Sequence, residues 1–237
     1  MLISCIDIKE NLKILEIMQI CDSNFPIGSF NHSYGMETYL RDDRIKNTDT
    51  CREWIQAFFK NQFIYSEGYS IKLLYGYLEE ENYEKVLELD RRITVQCMAA
   101  ETRNGNKLVA RRMAELFLDL YESKRLEKYL ADMKTKKAFG NPAIVFGILL
   151  FELGINYKNA IQYYMYSTAS TLIQNAVRTI PLGQKDGQIL LKECAESFCE
   201  LSEIIEGFDE DMFGANVPGI ELAQIQHETL IFRLFMS

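Results

Sequence analysis

From Tyr157 onward, Ile161, Tyr164, Met165, Thr168, Leu172, Ile173, Ala176 and Val177 share one helical face for about five turns, until Pro181 stops the run. A strand would alternate apolar and polar positions instead. The same helical spacing recurs along the chain, and only 4 Pro and 13 Gly punctuate its 237 residues. The pattern predicts an all-α fold: one compact single-domain bundle over residues 1–237, of roughly nine to ten helices. No repeat, low-complexity stretch or long linker divides it.

Local signals set the expected boundaries. Leu12, Leu15, Ile17 and Met18 suggest a first helix ending near Cys21, and Asn24, Pro26 and Gly28 then impose a loop before a helix starting near Ser33. Thr50 with Glu53 three residues later reads as a capping box opening a helix through Trp54, Phe58 and Phe59, with Gly68 placed to bend or divide it. Asn82 is placed to cap a helix carrying Val86, Leu89, Ile93 and Cys97. A further helix from about Glu101 carries Leu108, Met113, Leu116 and Leu120, and these two are expected to pack antiparallel. Asn141-Pro142 starts a short buried helix that Gly154 ends in a left-handed turn. Asp186 or Gly187 opens a helix through Leu201, an acidic loop follows, and Pro218 introduces a terminal segment.

Lys+Arg 26 against Asp+Glu 34 leaves a net charge of −8, which argues against a general nucleic-acid binder. Arg103, Lys107 and Arg111 form a helical stripe, read as a solvated face. The longest apolar run, Ala143 to Phe151, is far shorter than the roughly 20 residues a membrane-spanning helix needs. The first residues lack a positive region ahead of the apolar positions, so a cytoplasmic location is expected. The six cysteines form no CxxC pair and read as reduced, small core residues.

Catalytic signatures are missing. No glycine pattern supplies a P-loop lysine, and the zinc-protease motif begun by His227-Glu228 fails because position 231 is Ile231. His32 and His227 lie far apart and read as structural histidines rather than metal ligands. The expectation is a non-enzymatic binding protein; the alternative is an all-helical small-molecule enzyme of the haem-oxygenase-like kind, its pocket lined by Tyr and Cys.

Three blocks carry a specific likeness: CDSNFPIGSFNHSYGMETYL from Cys21, QNAVRTIPLGQKDGQ from Gln174, and the terminal HETLIFRLFMS from His227. With the central Glu101-Thr102-Arg103 and the pair Tyr164 and Tyr166, the chain resembles the UreF family of urease accessory proteins from about Ile14 to Ser237. It departs from the family pattern only conservatively, at Met36 and near Ile225.

The resemblance implies an all-helical, homodimeric chaperone that binds UreD (also called UreH) and the GTPase UreG and helps load nickel into apo-urease. It implies no resident cofactor and no fixed metal site, with nickel passing transiently. It places Phe30, Leu230, Phe232, Arg233, Leu234 and Phe235 on the UreD side, Glu37, Arg178 and Gln184 on the UreG side, and Tyr166 at the dimer interface. A docking role for the tail, about 217–237, agrees with its apolar residues, which are costly to leave in water.

Overall fold

The computed structural model describes residues 5–237, with side chains from residue 10 onward. Among the described residues there are eleven α-helices, three short 3-10 turns and no strand. The helices are α1 (Cys5–Ile20), α2 (Met36–Arg41), α3 (Thr48–Asn61), α4 (Glu67–Glu79), α5 (Tyr83–Gln96), α6 (Ala100–Leu120), α7 (Lys124–Lys134), α8 (Pro142–Glu152), α9 (Tyr157–Thr179), α10 (Gln184–Glu206) and α11 (Pro218–His227). The all-α fold is the expected one, and α7 is the helix the sequence pattern did not single out.

The most apolar helix sits at the centre. Every residue of α8 from Pro142 to Leu150 is buried, and α4, α6 and α9 pack around it. Asn141 accepts the Ala143 N–H and Pro142 occupies the first turn, where its missing N–H costs nothing, while Gly154 (φ +70°) ends the helix in the left-handed turn. α9 and α10 form the longest helix pair, and α11 closes over α2 and α6. One apolar core runs from Ile20 through to Ile220. No described helix is long and apolar enough to cross a membrane.

Several local expectations are corrected. The capping box of α3 is Asn47 with Thr50, so Thr50 is the reciprocal partner in the first turn, three residues after the cap, rather than the cap itself, and Glu53 takes no part. The break beyond α3 falls at 62–66, ahead of Gly68, which lies inside α4. α5 and α6 do not lie along one another: α5 packs mainly on α4, and α6 on α8 and α7. The helix expected near Ser33 begins at Met36, and α10 begins at Gln184, ahead of Asp186.

Burial also departs from pattern. On α1, Leu12, Ile14, Leu15 and Met18 stay exposed while Ile20 is buried, so most of this helix stands clear of the core. Cys21, Cys51 and Cys194 are core residues as expected, but Cys97 is half-buried and Cys199 exposed, and the Cys5 side chain lies outside the described residues.

Candidate functional site

The segment that follows α11 folds back across α2 and the N-terminus of α6, and a polar network centred on the buried Glu37 and His227 holds it there. α2 supplies Glu37, α6 supplies Glu101, and α11 ends on His227. The approach of α2 to α11 depends on Gly35 (φ +89°): a Cβ there would lie 3.1 Å from the Ile220 carbonyl oxygen. Thr38 Oγ1 donates to the Ala223 carbonyl at 2.7 Å and joins the same two helices.

His227 is fully buried and faces two carboxylates. Nε2 lies 2.9 Å from Glu37 Oε2, and Nδ1 lies 2.9 Å from Glu101 Oε2. The ring thereby bridges α2 and α6 through one carboxylate at each nitrogen. Glu37, 0% exposed, uses its remaining lone pairs on the tail: Oε1 accepts the Leu234 N–H at 2.7 Å and Oε2 the Phe235 N–H at 3.0 Å. Arg233 pairs with Glu101 and donates to the Leu230 and Glu228 carbonyls. Burial works to raise the Glu101 pKa, but hydrogen bonds from His227 and Arg233 outweigh it and hold the carboxyl below its ordinary range.

Glu228 adds a contact that sequence patterns did not suggest. Its Oε1 accepts the N–H groups of Ala100 and Glu101 at 2.8 and 3.3 Å, serving as the N-terminal cap that Ala99 lacks.

The last residues are tied down separately. His32 Nδ1 lies 2.6 Å from Ser237 Oγ, the Met236 N–H donates to the Asn31 carbonyl at 2.7 Å, and Arg41 donates to the Phe232 carbonyl at 2.8 Å. Burial, reinforced by the charges of Arg112 and His227, pushes the His32 pKa down to about 4, so this ring is neutral. Asn175 on α9 donates to the His32 carbonyl at 3.1 Å, and Arg178 donates in turn to Asn175.

With its backbone clamped, the tail turns most of its apolar side chains outward. Ile231 is 90% exposed and Phe232 78%, with Leu234 and Met236 also exposed. Leu230 is half-buried and Phe235 is buried against the chain itself. Phe30 is exposed beside them, and the Arg178 guanidinium lies 5.9 Å from its ring centroid.

The structure draws together residues that the resemblance assigns to different partners. Glu37 is not a surface charge: it lies beneath the tail, bonded to residues the resemblance assigns to the opposite partner. Arg178 is exposed but touches Phe30, again across that division. Gln184 is exposed at the start of α10. Tyr166, 40% exposed, lines a groove of about 570 Å³ between α1, α9 and α10. Both histidines are hydrogen-bonded within the chain, His32 to Ser237 and His227 to Glu37 and Glu101.

A family profile described as UreF matches residues 45–195, and the urease accessory protein UreF of Streptococcus salivarius (strain 57.I) is 46% identical over 223 residues, 94% of each chain. The chain belongs to the UreF family. The UreF protein of Bacillus sp. (strain TB-90) is 40% identical over 225 residues, 95% of this chain and 99% of that one. That of Lachnoclostridium phytofermentans is 39% identical over 224 residues, 94% of this chain and 98% of its own. These UreF relatives are named accessory proteins, not enzymes, which sets aside the haem-oxygenase-like alternative.

Proposed function

We propose that this chain scaffolds urease maturation: as a homodimer in the cytoplasm it binds UreD (UreH) and the GTPase UreG, and the complex passes nickel to apo-urease. The observation that carries the reading is the clamped tail. Ile231, Phe232, Leu234 and Met236 stand exposed on a backbone fixed by Glu37, Arg41 and Asn31, with Phe30 beside them. Apolar side chains held in water on an ordered backbone favour burial by a partner, because little ordering entropy remains to be lost on docking. UreD is the partner assigned to this surface, with Phe30, Leu230, Phe232, Arg233 and Leu234 in contact. Phe235 and Glu37 act from below by holding the tail in place.

Arg178 and Gln184, both exposed, are assigned to UreG recruitment, and Tyr166 with its groove to self-association. Nickel is cargo in this reading, with no resident site on the chain.

The test is co-purification of the tagged chain with co-expressed UreD and UreG, followed by urease activation with and without it. A ternary complex and activation that depends on the chain are expected. Normal urease maturation in its absence, with no complex formed, overturns the proposal.

A further inference from the structure

The negative charge of the chain is unevenly spread. Residues 103–137 carry ten Lys and Arg against five Asp and Glu, a positive stretch in a protein of net charge −8. Folding gathers part of it around one concavity. Lys107 and Arg111 of α6, Met133 of α7, and Lys136, Ala138 and Phe139 of the loop before α8 line a groove of about 380 Å³. Phe139 is 44% exposed, with Lys107 Nζ 5.4 Å from its ring centroid. Arg111 is shared with Glu115 on its own helix at 3.0 Å, and among the described residues no carboxylate lies within 4.0 Å of Lys107 or Lys136. The stripe read as one solvated face is thus divided, because Arg103 turns away to the carbonyls of Cys97 and Met98.

The loop that presents these groups is held from beneath. Lys136 (φ +63°) and Gly140 (φ +95°) make tight left-handed turns, and the N–H groups of Lys137 and Ala138 both donate to the Asp132 carbonyl, at 2.9 and 3.0 Å. Asp90 of α5, 0% exposed, accepts the Phe139 N–H at 2.6 Å, the Gly140 N–H at 3.1 Å and the Tyr129 hydroxyl at 2.7 Å. This buried carboxylate makes no contact with the tail network and serves to fix the loop. Lys136 and Phe139 therefore stand on a pre-set backbone, which lowers the ordering cost of binding.

We propose that this groove docks an acidic segment of a partner protein, its carboxylates against Lys107, Arg111 and Lys136 and an aromatic or apolar side chain against Phe139 and Met133. Two features select that chemistry. The cations ring an exposed aromatic, so charge and apolar contact are offered together, and complementary charge sets partner choice and association rate. A nucleic acid fits less well: these few cations form no long track for a phosphate backbone, and the acidic remainder of the surface repels it. The inference is independent of the urease-maturation reading, because it concerns a different face and uses none of the tail residues.

The test is fluorescence anisotropy of the labelled heptapeptide Asp-Glu-Asp-Phe-Glu-Asp-Glu titrated with the full chain at low salt. Saturable binding is expected, weakened about tenfold by Lys107→Glu with Lys136→Glu and about fivefold by Phe139→Ala. Replacing the peptide's Phe by Ser should cost about the same factor as Phe139→Ala. Because Lys107 lies close enough to Asp90 to influence its ionisation, Lys136→Glu alone, with an unchanged far-ultraviolet spectrum, guards against misreading a folding defect. Absence of binding, or equal binding by all variants, overturns the proposal. So does an oligothymidylate that outcompetes the peptide, which would make the face a nucleic-acid site. Self-association that is abolished by Lys136→Glu would replace the acidic partner with a second copy of this chain.

Discussion

Glu37 and Leu234 stand 197 positions apart in sequence, yet the Glu37 carboxylate accepts the Leu234 backbone N–H at 2.7 Å. That bond turns a terminal segment rich in apolar residues into an ordered surface. The same carboxylate faces the His227 ring, so helix α11 and the tail beyond it share one anchor.

Replacing that anchor is expected to release the tail. Glu37→Ala leaves the His227 ring and two backbone N–H groups without their buried acceptor, a loss of about 3–5 kcal/mol by analogy with broken buried ion pairs. Trypsin cleavage at Arg233 should become faster and the melting temperature should fall. An unchanged cleavage rate in a folded Glu37→Ala protein would show that the tail is held by other contacts.

Arg233 acts closer to solvent, with its side chain 37% exposed. Arg233→Ala is therefore expected to cost no more than about 1 kcal/mol of stability, while weakening UreD binding through loss of the group that aligns the tail on Glu101. Circular dichroism melts and UreD pull-downs on the same sample separate the two effects. A large drop in melting temperature would contradict the peripheral placement.

The pH dependence follows from His32, whose pKa is pushed down to about 4 by burial and by Arg112 and His227. The folded state then binds fewer protons than the unfolded one between pH 6.5 and about 4. Stability from this group is present above about 6.5 and is lost as the pH falls towards 4, by roughly 3 kcal/mol in total. Glu101, depressed by its partners, adds a loss of the same sign once the pH drops through its own folded pKa. Melting temperatures of native and His32→Gln proteins should differ in pH dependence below 6.5 and run parallel above it. Parallel curves over the whole range would refute this assignment.

Tyr166 supplies a separate test. At 40% exposure it contributes little to the core, so Tyr166→Asp is expected to change stability by less than about 1 kcal/mol. If the groove beside α1 is the self-association face, sedimentation should show the variant as a monomer at concentrations where the native chain is a dimer. Unaltered sedimentation would move the interface elsewhere.

Much of the framework was legible because it rests on local rules. The apolar face from Ile161 to Val177 became α9, Asn141-Pro142 opened α8, Asn82 capped α5 and Gly154 ended α8. At the start of α3 the cap is Asn47, with Thr50 as its reciprocal partner, so the helix begins one turn earlier than the pattern of Thr50 with Glu53 alone suggests. α1 shows the limit of pattern alone: Leu12 and Leu15 follow helical spacing, yet no other described element covers them.

The sequence by itself determined the helices and, through its three family-like blocks, the kinship, because capping, glycine and proline geometry and helical periodicity act over a few residues. It left open that Glu37 and His227, both buried, and the part-exposed Glu101 would meet in one cluster drawn from α2, α11 and α6. A charged residue is solvated by default, and only tertiary packing that removes water and supplies opposite partners makes its burial tolerable. That choice, made between segments more than a hundred residues apart, decided which tail residues face solvent and which hold the tail in place.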